Sequence, residues 1–351
     1  MQIRLATYAD KDTWDDYVLR HPDGSAYQLF AWREAIEETY SFKGPYLLAE
    51  DESGIRGILP LVDFRVPLIG RTLISLPYCD AGGVLADNQQ IEQVLIKYAC
   101  SMAEEIHAGL KLRSTRSLLS CGENQTDKVS MVLDLPDHSE SLLASYKSSL
   151  RSQINKPTRD GLTVMVGQGE LVDEFYAVFA ENMRDLGSPV HARLWLQSVV
   201  SSYADRVRVA VVYTPDKVPA AAGVILLHGL KASVPWASSL RRYNSQNPNM
   251  LLYWTLLSLA TENGCSHFDF GRSTPGEGTY RFKRQWGAEP RSLYWYEING
   301  SKIASNNRTK NRLQPSVRPF NRRQLATRIW QKLPQSGTDW LGPKLRKYIS
   351  L

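Results

Sequence analysis

Residues 268–287 combine positive charge, aromatic rings and a glycine-rich loop. Its cations are Arg272, Arg281, Lys283 and Arg284, and the aromatics that follow the glycines are Tyr280, Phe282 and Trp286. Gly271, Gly276 and Gly278 interrupt it, and glycine lets a backbone approach a ligand closely. A surface turn that only connects two elements does not require so many charged and aromatic side chains beside an apolar strand. The stretch therefore predicts a site for an anionic or carbonyl-bearing ligand.

Common signatures for nucleotides, hydrolysis and metals do not fit this chain. Gly271 and Gly276 have the spacing of a P-loop. Glu277 and Gly278, however, occupy the positions that need Lys and Ser or Thr, and the third glycine of a dinucleotide-binding turn is missing. The sequence has no Gly-x-Ser-x-Gly motif, and its six histidines form neither a triad pattern nor a zinc spacing. We predict no metal and no nucleotide-fold cofactor.

The elements that must position this stretch occur twice in the sequence. Paired strands, a helix and a further strand follow one another in the same order in both halves, at 46–62, 91–107 and 110–114 and again at 207–228, 250–262 and 268–273. The repeated order predicts an internal duplication in a mixed α/β chain. We expect two tandem domains, residues 1–140 and 141–300, with the site in the second domain. A basic tail at 301–351 follows.

The net charge of +6 is concentrated in that tail. Residues 301–351 contain twelve Lys or Arg and one acid, Asp339, whereas the rest of the chain carries more acids than cations. The high isoelectric point therefore says little about the main body. The sequence has no apolar run near the ~18 residues that span a bilayer and no secretory h-region, so we expect a cytoplasmic protein.

Several motifs together resemble the FemAB-like acyltransferases, most closely the branch associated with exopolysaccharide and exosortase (PEP-CTERM) gene clusters. The most specific is Tyr280-x-Phe282-Lys283-x-x-Trp286-Gly287, which follows the run Phe268-Asp-Phe-Gly-Arg-Ser273. Further matches cover nearly the whole chain: Ala31-Trp-Arg33, Gly57-x-Leu-Pro-Leu61, Ser75-Leu-Pro-Tyr-Cys79 and Arg184-x-Leu-Gly-x-Pro189. The resemblance implies two tandem GNAT-like acyltransferase domains, which agrees with the duplication.

The resemblance also implies an activity. Better-known members of this family move an amino acid from aminoacyl-tRNA to the peptide of a peptidoglycan precursor. We therefore expect an acyl- or aminoacyltransferase that acts on a peptidoglycan, exopolysaccharide or lipid-linked envelope precursor. The opposing hypothesis is a non-catalytic GNAT-like module that uses the same pocket to hold a polysaccharide or lipid-linked intermediate.

Roles around the glycine-rich loop follow from the resemblance. Lys283, which matches the family's Phe-Lys lysine, would stabilise the charge that develops on the attacked carbonyl oxygen, or bind a phosphate. Asp269 would act as a general base, although a structural role in holding Arg272 is the alternative. Arg272 would clamp a carboxylate or a diphosphate. The pocket wall would consist of rings that can stack on a base or sugar: Tyr280, Phe282 and Trp286.

Four further cations extend the predicted anion-binding surface. Lys147 and Arg151 lie four residues apart on a basic helix at 141–159, where a solvated helix face is the alternative. Arg241 and Arg242 occupy the position where acetyl-CoA-using GNAT enzymes carry a glycine-rich pyrophosphate loop. Here that segment has no glycine. The departure disfavours acyl-CoA as the donor and leaves aminoacyl-tRNA as the other candidate.

The basic tail mixes apolar side chains with its cations. Phe320, Leu325, Ile329 and Trp330 lie among arginines and lysines before Pro334. A basic amphipathic helix of this kind is typical of contact with an anionic membrane surface, here through residues 319–351. Packing across the second domain and binding of tRNA are the alternatives. Membrane contact would make the protein peripheral on the inner face of the plasma membrane.

Overall fold

The computed structural model describes residues 1–118, 121–298 and 322–351. Residues 299–321, with the start of the expected basic tail, lie outside the described residues. The helices of the first half are α1 (Lys11–Arg20), α2 (Phe30–Tyr40) and α3 (Gln89–Glu105). Its strands are β1 (Gln2–Leu5), β2 (Tyr46–Asp51), β3 (Gly54–Pro60), β4 (Val62–Val66), β5 (Gly70–Ile74), β6 (Leu85–Ala86), β7 (Gly109–Ser114) and β8 (Val129–Asp134).

The second half carries more helix and ends in two helices of the tail. Its helices are α4 (Ser139–Ser145), α5 (Ser148–Arg159), α6 (Val172–Leu186), α7 (Arg193–Tyr203), α8 (Pro248–Glu262), α9 (Gly278–Gln285), α10 (Arg322–Gln331) and α11 (Gln335–Arg346). Its strands are β9 (Thr163–Gly167), β10 (Val207–Tyr213), β11 (Pro219–His228), β12 (Lys231–Ser239), β13 (His267–Ser273), β14 (Glu289–Ser292) and β15 (Tyr294–Ile298). None of the helices in these described parts combines the length and apolarity that crossing a bilayer requires.

The two halves repeat one arrangement of strands and helix. In the first half, β5 and β7 pair in parallel and are connected through α3. In the second half, β12 and β13 pair in parallel and are connected through α8. A parallel pair needs such a crossover, because the chain must return to the same end of the sheet. The mixed α/β fold with an internal repeat, predicted from the sequence, is confirmed.

The sheets exchange strands across the expected domain boundary. The seven-stranded sheet has the order β14-β8-β13-β12-β11-β10-β9, so β8 of the first half lies inside the sheet of the second half. The strand β15 instead joins a first-half sheet of order β15-β7-β5-β4, beside a second one of order β1-β2-β3-β6. This corrects the expected ranges 1–140 and 141–300, since 129–134 and 294–298 belong to the opposite sheets.

A continuous aromatic core joins the halves. The ring of Trp32 on α2 lies 5.0 Å from that of Trp195 on α7 in an edge-to-face arrangement, and both side chains are fully buried. Trp32 also stacks on Trp236 of β12 at 6.1 Å. Burial of large aromatic rings contributes more to stability than burial of any other side chain. The relative position of the halves is therefore fixed by packing as well as by strand exchange.

The described part of the tail folds back on both halves of the chain. Trp330 of α10 and Thr338 of α11 are buried, and Gly187 at the end of α6 lies against Thr327. Beyond α11, the Tyr78 hydroxyl donates to the Lys347 carbonyl at 2.7 Å. The structure thus places the tail against the chain's own core, which was one of the three alternatives.

Candidate active site

The strand β13 changes course where the predicted site begins. Its parallel pairing with β12 ends at Ser233 and Asp269, and its register with β8 shifts between Asp269 and Arg272. Gly271 lies in this bulge with a φ of +77°, and an added Cβ would approach the Val234 carbonyl oxygen to 3.3 Å. A bulge of this kind re-aims the following side chain. Here it directs Arg272 toward the first half of the chain.

Lys283 is the buried cation of the site. It lies on α9 with only 7% of its surface exposed, and its Nζ donates to the carbonyl oxygens of Gly271 and Arg272, each at 2.9 Å. Burial lowers the pKa of Lys283 to about 8, against the opposing effect of the Asp269 and Asp80 carboxylates. An ammonium group has three donors, so the two carbonyls leave one N–H for a substrate oxygen. A buried cation with a free donor can stabilise developing negative charge.

Asp269 is fixed by hydrogen bonds from its neighbours. Its Oδ1 accepts from the Ser130 hydroxyl on β8 and from the Gly271 amide, the latter at 2.8 Å. Burial raises the pKa of Asp269. The expected partner, Arg272, instead pairs with a different carboxylate. The geometry therefore favours the structural role of Asp269, as a support for the bulge, over the role of general base.

Arg272 connects the site to the first half of the chain. Its Nη1 lies 3.1 Å from Asp80 Oδ1, and its backbone amide donates to Asp80 Oδ2 at 3.3 Å. The guanidinium also lies 5.4 Å from the ring centroid of Trp295, whose Nε1 donates to the Asp80 carbonyl at 2.9 Å. Sequence reasoning missed Asp80 and Trp295. Asp80 directly follows the Ser75–Cys79 motif, which was the one available signal.

Asp80, Asp269, Arg272 and Lys283 form one group of charges, which we call the charge cluster. The two carboxylates oppose the effect of burial on the pKa of Lys283, whereas Arg272 adds to it. Asp80 and Arg272 remain partly exposed, with 27% and 34% of their side-chain surfaces accessible. Solvent therefore reaches the edge of the cluster at the junction between the halves. Buried Lys283 and Asp269 form its interior.

The aromatic residues near Lys283 pack mainly on protein. Trp286 is fully buried, and its ring lies 5.7 Å from Tyr146 in an edge-to-face arrangement. Phe282 packs edge to face on Tyr253 at 5.0 Å, and Tyr280 is half-buried against the same core. This corrects the expectation that all three rings form a stacking wall. Trp286 has no exposed face in this arrangement, and Phe282 and Tyr280 expose only part of their rings.

The other predicted cations are not brought to Lys283. Arg242 forms an ion pair with Glu181, and Arg241 donates to the Asp185 carbonyl at 3.3 Å, both at the surface. Arg151 donates to the Ala144 and Tyr146 carbonyls at 3.2 and 2.9 Å, where the predicted single helix at 141–159 breaks into α4 and α5. Lys147 lines a separate cleft of about 710 Å³ between this break and the end of α9. The predicted anion surface is therefore dispersed.

Comparison with known proteins agrees with this fold. The family model described as Acetyltransferase (GNAT) domain matches residues 144–284, which include Lys283. No curated protein sequence matches the chain.

Solved structures extend the agreement beyond that segment. FemX has a TM-score of 0.68 at 15% identity, covering 85% of this chain and 98% of its own. A protein described as the C-terminal domain of a lysylphosphatidylglycerol synthetase from Agrobacterium fabrum has a TM-score of 0.56 at 16% identity, covering 84% and 93%.

A third structure shares the tandem organisation by its description. A tandem GNAT protein from the clavulanic acid biosynthesis pathway has a TM-score of 0.54 at 12% identity, covering 87% of this chain and 100% of its own. Identities this low show a common fold, and the site must be argued from its own residues. The chain thus has a tandem GNAT-like fold, and its residues 144–284 match the family model of the GNAT acetyltransferase domain.

Proposed function

We propose that this protein transfers an aminoacyl or other acyl group to an amine or hydroxyl of a cell-envelope precursor. The observation that carries the proposal is Lys283, a buried lysine of α9 that donates to two carbonyls of β13 and keeps a spare donor, in a GNAT-type domain. Burying a lysine costs folding free energy, because its charge loses hydration. A cation kept in such a position is typical of a functional site.

The chemistry of acyl transfer matches the charge cluster. Attack on an ester or thioester carbonyl places negative charge on its oxygen, and a fixed cation at hydrogen-bond distance stabilises that charge. The free N–H of Lys283 would take this role, while the two backbone carbonyls hold the ammonium in place. The attacking amine must also lose a proton as the ester bond between the carbonyl carbon and the tRNA oxygen breaks, and the leaving tRNA oxygen takes up a proton. Asp80 is the partly exposed carboxylate of the cluster, whereas Asp269 is enclosed, so we assign this proton to Asp80.

Arg272 would recognise an anionic part of the acceptor. Its guanidinium is partly exposed at the junction between the halves and is oriented by Asp80 and Trp295. Guanidinium groups bind carboxylates and phosphates through paired donors. A precursor with a diphosphate or a peptide carboxylate supplies such a group. The fold shared with FemX and with a lysylphosphatidylglycerol synthetase domain supports envelope substrates of this class.

The donor is proposed to be aminoacyl-tRNA rather than acyl-CoA. The segment between β12 and α8 contains no glycine and forms a short turn of 3-10 helix over Arg241–Gln246. Backbone amides that hold a pyrophosphate need a loop that wraps the anion, which glycines normally allow. In addition, the ring of Tyr253 on α8 stacks on the ring of Phe270 on β13, with their centroids 5.6 Å apart. These two rings occupy the space between the helix and the strand.

A transfer assay with each of the two donors in labelled form tests this proposal. Purified protein is incubated with labelled aminoacyl-tRNA or labelled acyl-CoA, together with lipid-linked or nucleotide-linked envelope precursors. We expect label from aminoacyl-tRNA to appear in the precursor. Retention of precursor without any labelled product from either donor would contradict transfer and favour the non-catalytic binding module.

A further inference from the structure

The helices α10 and α11 use only part of their surfaces to pack on the protein. Trp330, Thr338 and Gly342 are buried, with Gly342 against Val190. The Gln331 side chain donates to the Asp185 carbonyl at 2.9 Å. These contacts fix the helices on α6 and the segment that follows it. The remaining faces of both helices point to solvent.

Those free faces are unusually apolar. Four large apolar side chains are exposed on the two helices, Leu325 (45%), Ile329 (54%), Trp340 (66%) and Leu345 (42%), and Ile349 (39%) follows α11. The described chain has 18 exposed large apolar side chains, so more than a quarter lie in its last 30 residues. Single exposed apolar residues are ordinary, but a concentration of them marks an interaction surface.

Cations are interspersed with these apolar side chains. Residues 322–351 contain seven Lys or Arg and one acid, Asp339. On α11, Lys344 Nζ lies 3.4 Å from the ring centroid of Trp340. Exposed Arg328 of α10 and exposed Lys332, which directly follows that helix, flank exposed Ile329. An aromatic or aliphatic anchor beside a cation is the pattern of peptides that lie in the interface of an anionic bilayer.

We propose that this tail surface binds the surface of an anionic lipid bilayer. We define it as Leu325, Arg328, Ile329, Lys332, Trp340, Lys344 and Leu345. Its apolar side chains would enter the headgroup region, while its cations meet anionic headgroups. Nucleic acid would be bound by the cations alone and would leave the exposed aliphatic side chains unused. Packing on the chain's own core is already satisfied by the opposite faces.

A loop of the second half lies beside the end of α10. The Asp185 carbonyl accepts from Gln331 of α10 and from Arg241 of the segment before α8. The neighbouring Leu186 is itself 52% exposed. Docking through the tail surface would therefore bring Arg241 and Arg242 close to the headgroups. This proposal stands independently of catalysis by Lys283, although a lipid-linked acceptor would suit both.

The test measures binding of the full-length protein to vesicles. Sedimentation is compared for vesicles of phosphatidylglycerol and phosphatidylcholine and for vesicles of phosphatidylcholine alone, with free tRNA binding measured in parallel. We expect binding to the anionic vesicles that falls as salt rises. Each of Lys332→Gln and Lys344→Gln should weaken it about five-fold. Leu325→Ser combined with Ile329→Ser should weaken it at least ten-fold, because both anchors are lost.

Matched controls come from other surfaces of the chain. Lys97→Gln removes an exposed lysine of α3, and Leu230→Ser removes a side chain as exposed as Trp340. Both controls should bind vesicles like the native protein. Equal losses in controls and tail variants would overturn the proposal. So would tRNA binding that depends on these residues without any binding to anionic vesicles. Transfer to a water-soluble precursor should persist in all the tail variants, which separates this test from that of the proposed function.

Discussion

Arg272 and Asp80 form an ion pair that joins the two halves of the chain across 192 residues of sequence. The Asp80 carboxylate forms an ion pair with the Arg272 guanidinium and accepts a hydrogen bond from the Arg272 backbone amide. It therefore fixes both the bulge of β13 and the side chain of Arg272. The same bulge supplies the two carbonyls that hold Lys283. The geometry at Lys283 therefore depends on how the halves meet, not on the second half alone.

Replacement of either member of this pair should reduce transfer much more than stability. A partly exposed ion pair contributes about 1 kcal/mol or less to folding. We expect Arg272→Met and Asp80→Asn each to lower kcat/KM at least ten-fold, with little change in Tm. The double variant should lose less than the product of the single losses, because the broken ion pair contributes to both single losses.

The control for this cycle is Arg65→Met, which breaks an exposed ion pair with Asp63 on the first-half sheet. It should leave both kcat/KM and Tm close to native values. Strictly multiplicative losses in the double variant would show that Asp80 and Arg272 act separately.

Transfer should decline in alkaline solution. The pKa of Lys283 is lowered to about 8 by burial, so the ammonium deprotonates near that pH instead of near its ordinary value. Because the proposed role needs the charged form, kcat/KM should fall as pH rises through about 8. A pH profile with a donor that is stable in this range measures it. A rate that rises through the same range would indicate a neutral amine acting as base or nucleophile.

The sequence predicted those parts of the fold that depend on local pattern. A continuous apolar run predicted helix α8, and the alternation of apolar and polar residues predicted strand β13. Both patterns show which side chains are buried. The repeat of strand, helix and strand followed in the same way. The exchange of β8 and β15 between sheets did not, because strand pairing is set by contacts between residues far apart in sequence.

The candidate site shows the same division. Lys283 and Arg272 were found from residue type and from the motif, and the charge cluster contains both. Asp80 was missed because its contact with Arg272 is long-range. Trp286 was misplaced because an aromatic residue near a loop carries no sign of whether it faces a ligand or the core. The break at 146–147 has neither glycine nor proline to reveal it.

Mild acidification should destabilise the fold through its buried histidines. Burial lowers the pKa of His228 to about 4 and the pKa of His191 well below its ordinary value. The unfolded chain takes up these protons near pH 6.5, so stability is retained above that pH and lost as pH falls below it. For His228 the loss between pH 7.5 and 5 should reach about 2 kcal/mol.

Urea unfolding at pH 7.5 and pH 5 measures this effect. His228→Gln should reduce the difference in unfolding free energy between the two conditions. The exposed residue His138 provides the control, since His138→Gln should leave the difference as it is in the native protein. A difference in the His228→Gln protein as large as that in the native protein would refute the assignment.

The segment after α11 should stabilise the first half through Arg113. This guanidinium is 4% exposed, and Ser350 supplies it with a carbonyl at 3.1 Å and a hydroxyl at 2.8 Å. Ser350→Ala leaves a buried charged donor without its hydroxyl partner, which should cost about 1–3 kcal/mol of unfolding free energy. Thermal or urea denaturation measures the loss. Ser336→Ala, at an exposed position of α11, should cost nothing comparable, and equal effects would contradict the assigned contact.

The most direct test of the account is a transfer assay on Lys283→Met beside Lys97→Met, which replaces an exposed lysine far from the charge cluster. Methionine keeps the length and apolar character of the lysine stem and removes the ammonium. We predict that Lys283→Met lowers kcat about 100-fold to 1,000-fold, as loss of an oxyanion donor does. Its Tm should change little, since removal of the costly buried charge offsets the loss of its hydrogen bonds to the Gly271 and Arg272 carbonyls. Lys97→Met should transfer label like the native protein. Native turnover in a folded Lys283→Met protein would contradict the central claim.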